Sequence, residues 1–85
     1  MGCLILFKSV TYAQSAQYHL TQRRINTVII RKPTGLQGNG CGYALKIKCS
    51  DLAECVETLS RAGINYISIW RNVGLEWVKI DDIFR

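Results

Sequence analysis

The stretch Cys3-Leu-Ile-Leu-Phe7 decides the fold, because all of its residues are apolar and none interrupts the run. A strand with one solvated face alternates apolar and polar residues, whereas a strand covered on both faces is apolar throughout. We therefore predict a β-strand at residues 3–7 that is packed on both sides. The elements around this strand must supply the cover.

The rest of the sequence predicts two helices and three more strands. Apolar residues at helical spacing predict a helix from about Val10 to Arg24, with Ser9 or Thr11 as its cap. A second helix is predicted to start at Ser50 or Asp51 and to stop at Gly63. Three further strands follow from β-branched and alternating residues: Thr27–Ile30, Gly42–Cys49 and Asn65–Trp70.

The resulting order is strand, helix, strand, strand, helix, strand. Two right-handed crossovers within one sheet predict an α+β ferredoxin-like sandwich. It would have a four-stranded antiparallel sheet in the order 4-1-3-2, with both helices on one face. We assign residues 1–72 to this domain. Because large apolar patches are uncommon on monomers, we expect the tail at 73–85 to dock on the sheet or on a second subunit.

Charge is distributed unevenly along the 85 residues. The first fifty contain no Asp or Glu and seven Lys or Arg, whereas the remainder has four basic and six acidic residues; +7 and −2 give the net charge of +5. A basic half attracts anionic partners. We find no transmembrane stretch and no secretory signal, so we expect no membrane contact and a cytoplasmic location.

The four cysteines are Cys3, Cys41, Cys49 and Cys55. They form no Cys-x-x-Cys pair, and the chain has a single histidine, so we predict neither a metal site nor a cofactor. In the cytoplasm we expect the thiols to stay reduced. Cys3, Cys49 and Cys55 lie on predicted strands or on a helix stripe, and we interpret them as buried core residues.

Cys41 differs from the other three because Gly40 and Gly42 flank it after a glycine-rich loop. Its half of the chain lacks acids, and Arg31 and Lys32 precede the loop. Positive surroundings favour a thiolate over a thiol. The sequence therefore predicts a reactive thiol at Cys41, with Gly40, Gly42, Arg31 and Lys32 as the binding residues around it.

Other functions have weaker support. His19 falls on the face of the first helix opposite its apolar stripe, so a Cys-His catalytic pair is unsupported. The glycines join two strands, whereas nucleotide loops join a strand to a helix. Residues 41–48 match only Gly-Tyr-Ala of the RNA-recognition motif and lack its second stacking aromatic, so we do not expect nucleic acid binding.

Residues from about Cys3 to Trp70 resemble the selenium/sulfur carrier protein-like domain family. The matching features are Phe7-Lys8-Ser9, an alanine-rich first helix, Arg31-Lys32-Pro33 and Cys41-Gly42-Tyr43-Ala44-Leu45. The resemblance implies a ferredoxin-like domain whose motif cysteine carries sulfur or selenium as a persulfide or selenosulfide, in a family often found with TusA-like sulfur carriers. Members often have arginine where this chain has Thr34.

We accordingly predict a carrier protein in which Cys41 accepts the sulfur or selenium. We expect the protein to act as a carrier and not as a turnover enzyme. Its partners would be a desulfurase-like donor protein and an acceptor protein, and a homodimer is possible. The alternative is a non-catalytic, dimeric ferredoxin-like module that binds an anionic ligand or an acidic protein.

Overall fold

A computed structural model of the chain describes residues 2–31, 42–74 and 76–80. Two α-helices, five strands and one short 3-10 helix occur within these ranges. In chain order they are β1 (Gly2–Phe7), α1 (Val10–Gln22), β2 (Val28–Arg31), β3 (Tyr43–Lys48), η1 (Cys49–Asp51), α2 (Leu52–Ala62), β4 (Ser68–Val73) and β5 (Glu76–Ile80). The α+β class and the two helices are as predicted.

The sheet has five strands, so the prediction of four was wrong. Its order is β2-β3-β1-β4-β5, and every neighbouring pair is antiparallel. The predicted neighbours 4-1-3-2 are present within this order, and the tail adds β5 at the free edge of β4. An unpaired edge strand exposes backbone donors and acceptors, and the added strand satisfies those of β4. The predicted domain boundary between residues 72 and 73 falls within β4.

β1 lies at the centre and is covered on both faces, as its sequence predicts. Cys3, Ile5 and Phe7 are fully buried in the cluster that contains the helices, whereas Leu4 and Leu6 belong to a second cluster on the opposite face. Residues of opposite parity point to opposite faces of a sheet. The all-apolar run therefore serves two cores at once.

The cover on the face without helices comes partly from the tail. The second cluster contains Ala44 and Trp70, and Ile30 and Trp77 pack against it. The indole N–H of Trp70 donates a hydrogen bond to Ser68 Oγ at 2.8 Å, so its buried polar atom is satisfied. Trp77 belongs to β5, so this part of the tail lies at the sheet edge and contributes one aromatic side chain to that face.

Both helices end with a residue in the left-handed conformation. Gly63 follows α2 with φ of 72°, which confirms it as the predicted stop. Arg24 takes the same role after α1 with φ of 61°, and Ile25 donates its backbone N–H to the carbonyl of Leu20. α1 thus ends at Gln22, two residues before the predicted position.

None of the helices in the described ranges is long and apolar enough to cross a membrane.

Candidate functional site

β3 connects two ends of the sheet that differ in chemistry. At its start, Tyr43 pairs with Phe7 of β1 and with Arg31 of β2, so Gly42 lies where those two strands finish. We call this the loop end, and it also includes Ile67, whose N–H donates to the carbonyl of Leu6 at 2.8 Å. We call the opposite end of β3 the disulfide end.

The structure places part of the predicted site at the loop end. Arg31 is exposed at the end of β2, which is the neighbour of β3 in the sheet. Neighbouring strands lie about 5 Å apart, and Gly42 directly precedes β3. Cys41, Gly40 and Lys32 lie outside the described residues. The pairing therefore brings Arg31 next to the chain position that leads directly into Cys41.

Positive charge dominates the described residues of the loop end. Lys8 is exposed there, and α1 begins immediately after Ser9, whose hydroxyl accepts a hydrogen bond from the N–H of Tyr12 at 3.5 Å. The first turn of α1 contains no acid to offset the positive end of the helix dipole. The C-terminal end of α2 leads towards the loop end. There Arg61 pairs with Glu57 at 2.6 Å, so a positive charge balances this carboxylate.

The disulfide end holds a correction to the sequence analysis. Cys3 and Cys49 form a disulfide with a Cα–Cα distance of 5.1 Å, so the expectation of reduced thiols was wrong for these two residues. Cys3 pairs with Ile47 near the end of β3, and Cys49 follows that strand directly as the first residue of η1. The observed Cα–Cα distance lies within the range that a disulfide spans.

Cys55 confirms the prediction of a buried core cysteine. It is fully buried in the main core and is not disulfide-bonded. Burial, with the nearby charges of Asp51 and Glu54 acting in the same direction, raises the pKa of the Cys55 thiol to about 12. At neutral pH this thiol is protonated and shielded, and it is therefore chemically inert.

The sequence analysis missed the exposed apolar side chains of the loop end. The predicted strand Asn65–Trp70 includes Ile67, but β4 begins only at Ser68. Ile67 is 63% exposed, Tyr66 is 37% exposed and Tyr12, in the first turn of α1, is 47% exposed. The apolar pattern alone could not distinguish an exposed isoleucine from a buried one.

His19 lies away from the loop end. It lies in the last turn of α1, whose first turn is at the loop end, and it makes an edge-to-face contact with Tyr18 at 5.5 Å between ring centroids. At 1.5 Å per residue, about 15 Å of helix separates it from Ser9.

Fold and site together define a small α+β domain with two helices and a five-stranded antiparallel sheet, whose described loop end is basic and in which three cysteines are buried or disulfide-bonded. Residues 2–71 match the family described as "Putative Se/S carrier protein-like". The chain belongs to this family, as its sequence resemblance implied. The match ends at residue 71, so β5 lies outside the matched residues. No curated protein and no solved structure gave a match.

Proposed function

We propose that this chain carries sulfur or selenium on Cys41, as a persulfide or a selenosulfide. The observation that supports the proposal most strongly is the state of the other three cysteines. Cys3 and Cys49 are joined to each other, and Cys55 is buried with a pKa near 12. Cys41 is the cysteine that remains for chemistry with another protein.

The transfer step needs no cofactor and no net oxidation. The Cys41 thiolate attacks the outer sulfur of a persulfide on the donor protein, a new S–S bond forms, and the donor S–S bond breaks. The donor cysteine leaves as a thiolate, so the electron pair that forms one bond is returned by the other. Delivery to an acceptor thiolate repeats the same step. A selenium atom in the outer position gives the selenosulfide.

The loop end provides the electrostatics that such a step requires. The exposed Arg31 and Lys8 and the start of α1 place positive charge around Gly42. The sequence adds Lys32 to this set, and the glycines at 40 and 42 would let a partner approach closely and leave backbone N–H groups for the terminal sulfur. A carrier transfers an atom between thiolates, so it needs no positioned base such as histidine.

The partners of this reaction are a desulfurase-like donor and an acceptor protein. We expect both to use the same end of the domain, because both must reach Cys41. A homodimer would leave the scheme unchanged if its contact lies away from the loop end.

The direct test is mass spectrometry after the protein has been incubated with a cysteine desulfurase and cysteine. We expect one reducible sulfur adduct on Cys41. Cys41→Ser should lose the adduct and keep its fold, whereas the matched variant Cys55→Ser should still be loaded. A wild-type protein without an adduct on Cys41, or with equal adducts on Cys3 and Cys49, contradicts the proposal.

The same pair of variants separates the carrier from a binding module for an anionic ligand or an acidic protein. If Cys41→Ser keeps full function in the cell, the thiol is dispensable and the binding module is the better account.

A further inference from the structure

We propose that the loop end is a docking surface for the persulfide-donating protein. This chain would contribute Ile67, Tyr66 and Lys8, and the donor would contribute an apolar hollow bordered by carboxylates. This inference rests on the proposed carrier function. It adds the surface that recognises the donor and the chemistry of the donor's matching surface.

The apolar part of this surface is exposed on a fixed backbone. Ile67 leaves 63% of its surface in solvent although its N–H is held by the carbonyl of Leu6 at 2.8 Å. Tyr66 precedes it, and Tyr12 stands exposed on the first turn of α1 at the same end. Single exposed apolar residues are ordinary, but several of them at one end of a small domain are typical of an interaction site.

The position of this group fits a role in delivery. Only β1 separates Ile67 from the first residue of β3. On one side of β1, Phe7 pairs with Tyr43, and on the other side the carbonyl of Leu6 accepts a hydrogen bond from the N–H of Ile67. Two strand spacings correspond to about 10 Å. A protein that covers Ile67 would therefore also cover the chain position that leads into Cys41.

Charge selects the kind of partner. Lys8 and Arg31 are exposed at this end, and the described acid nearest to it, Glu57, is paired with Arg61. The other described acids, Asp51, Glu54 and Glu76, lie at the start of α2 and at the start of β5, both at the disulfide end. A partner with carboxylates around an apolar hollow would be complementary, and a basic partner would be repelled.

The test measures sulfur loading of Cys41 at increasing concentrations of a cysteine desulfurase, with inorganic polysulfide as a donor that needs no docking. Ile67→Asn should raise the KM for the desulfurase about fivefold to tenfold, with kcat and polysulfide loading unchanged. Val73→Asn is the matched control, because Val73 is 47% exposed at the disulfide end, and its KM should stay within twofold of wild type.

A second pair of variants tests the charge. Lys8→Glu should raise the KM and reduce its dependence on salt, whereas Lys48→Glu, an exposed lysine at the disulfide end, should leave both unchanged.

The outcomes separate the two proposals. If polysulfide fails to load Cys41 in the wild-type protein, the carrier function itself is wrong. If loading is normal but Ile67→Asn and Val73→Asn have the same KM, the docking surface is wrong and the carrier function stands. Self-association that Ile67→Asn abolishes would also overturn the proposal, because a second copy would then occupy this surface.

Discussion

The two ends of β3 differ in their described charges and in the cysteine that lies nearest in sequence. Cys41 precedes Gly42 at the loop end, where the described charges are Lys8, Arg31 and the Glu57–Arg61 pair. Cys49 follows Lys48 at the disulfide end, where it is bonded to Cys3. Six residues of extended strand, about 20 Å, separate the two ends.

The described cysteines differ from one another because of their positions in the fold. Burial, together with the charges of Asp51 and Glu54, raises the pKa of the Cys55 thiol, and a covalent bond at the disulfide end removes two further thiols. At the loop end an exposed arginine and a helix N-terminus favour negative charge. Under the proposed function, one strand separates a structural use of sulfur from a chemical one.

The largest expected effect is on stability, from breaking the disulfide. The bond links residues 46 positions apart, and the loop-entropy relation gives about 4 kcal/mol for a loop of this length. This is a large share of the stability of a small domain. We expect Cys49→Ser, or reduction of wild type, to lower the free energy of unfolding in urea by about this amount.

Cys41→Ser is the control at the other end of β3, and it should unfold at the wild-type urea concentration. If Cys49→Ser in the absence of reductant is as stable as wild type, the bond does not stabilise the disulfide end and the contrast between the two ends is weakened.

An intermediate effect concerns alkaline pH. The folded-state pKa of Cys55, about 12, lies above the ordinary thiol value, so its contribution to stability is fully present at neutral pH and is lost as the pH rises. From roughly pH 9 to pH 12 the unfolded chain releases this proton and the folded chain retains it. The free energy of unfolding should fall by about 1.4 kcal/mol per pH unit from this group.

Cys55→Ala isolates that contribution, because tyrosines and lysines titrate in the same range in both proteins. The variant should be less stable at neutral pH and should have a shallower alkaline slope in urea titrations. Parallel slopes for the two proteins would mean that Cys55 is not shielded in the folded state.

The smallest effect compares the helix caps at the two ends. Ser9 caps α1 through its hydroxyl, whereas Asp51, at the start of α2, makes no side-chain capping bond. We expect Ser9→Ala to destabilise the fold by about 1 kcal/mol and Asp51→Ala by less. Thermal unfolding of both variants checks the order, and a larger loss for Asp51→Ala would reverse our assignment of the caps.

The sequence predicted the central part of the fold because that information is local. The apolar run at residues 3–7 predicts a strand buried on both faces, and Gly63 occupies the left-handed position that favours glycine. The same reasoning predicted that Cys55, on the inner stripe of its helix, is buried.

The features that the sequence did not predict depend on which segments pair and in what register. β5 exists because the edge of β4 is available to residues 76–80, and the Cys3–Cys49 bond depends on the register of β1 against β3. Four cysteines allow several pairings, and local patterns cannot choose among them. For the site, Arg31 and Gly42 lie close together because Arg31 pairs with Tyr43, whereas Cys41, Gly40 and Lys32 lie outside the described residues, so the predicted site stays a prediction.

The most direct test of the central claim is the rate at which each cysteine reacts with iodoacetamide in the native protein near neutral pH, resolved by peptide mass spectrometry. We predict that Cys41 is alkylated fastest by at least tenfold, that Cys55 stays unmodified, and that Cys3 and Cys49 become reactive only after reduction. Alkylation of Cys49 or Cys55 at the rate of Cys41, without reductant, would contradict the division of the four cysteines into one chemical and three structural thiols.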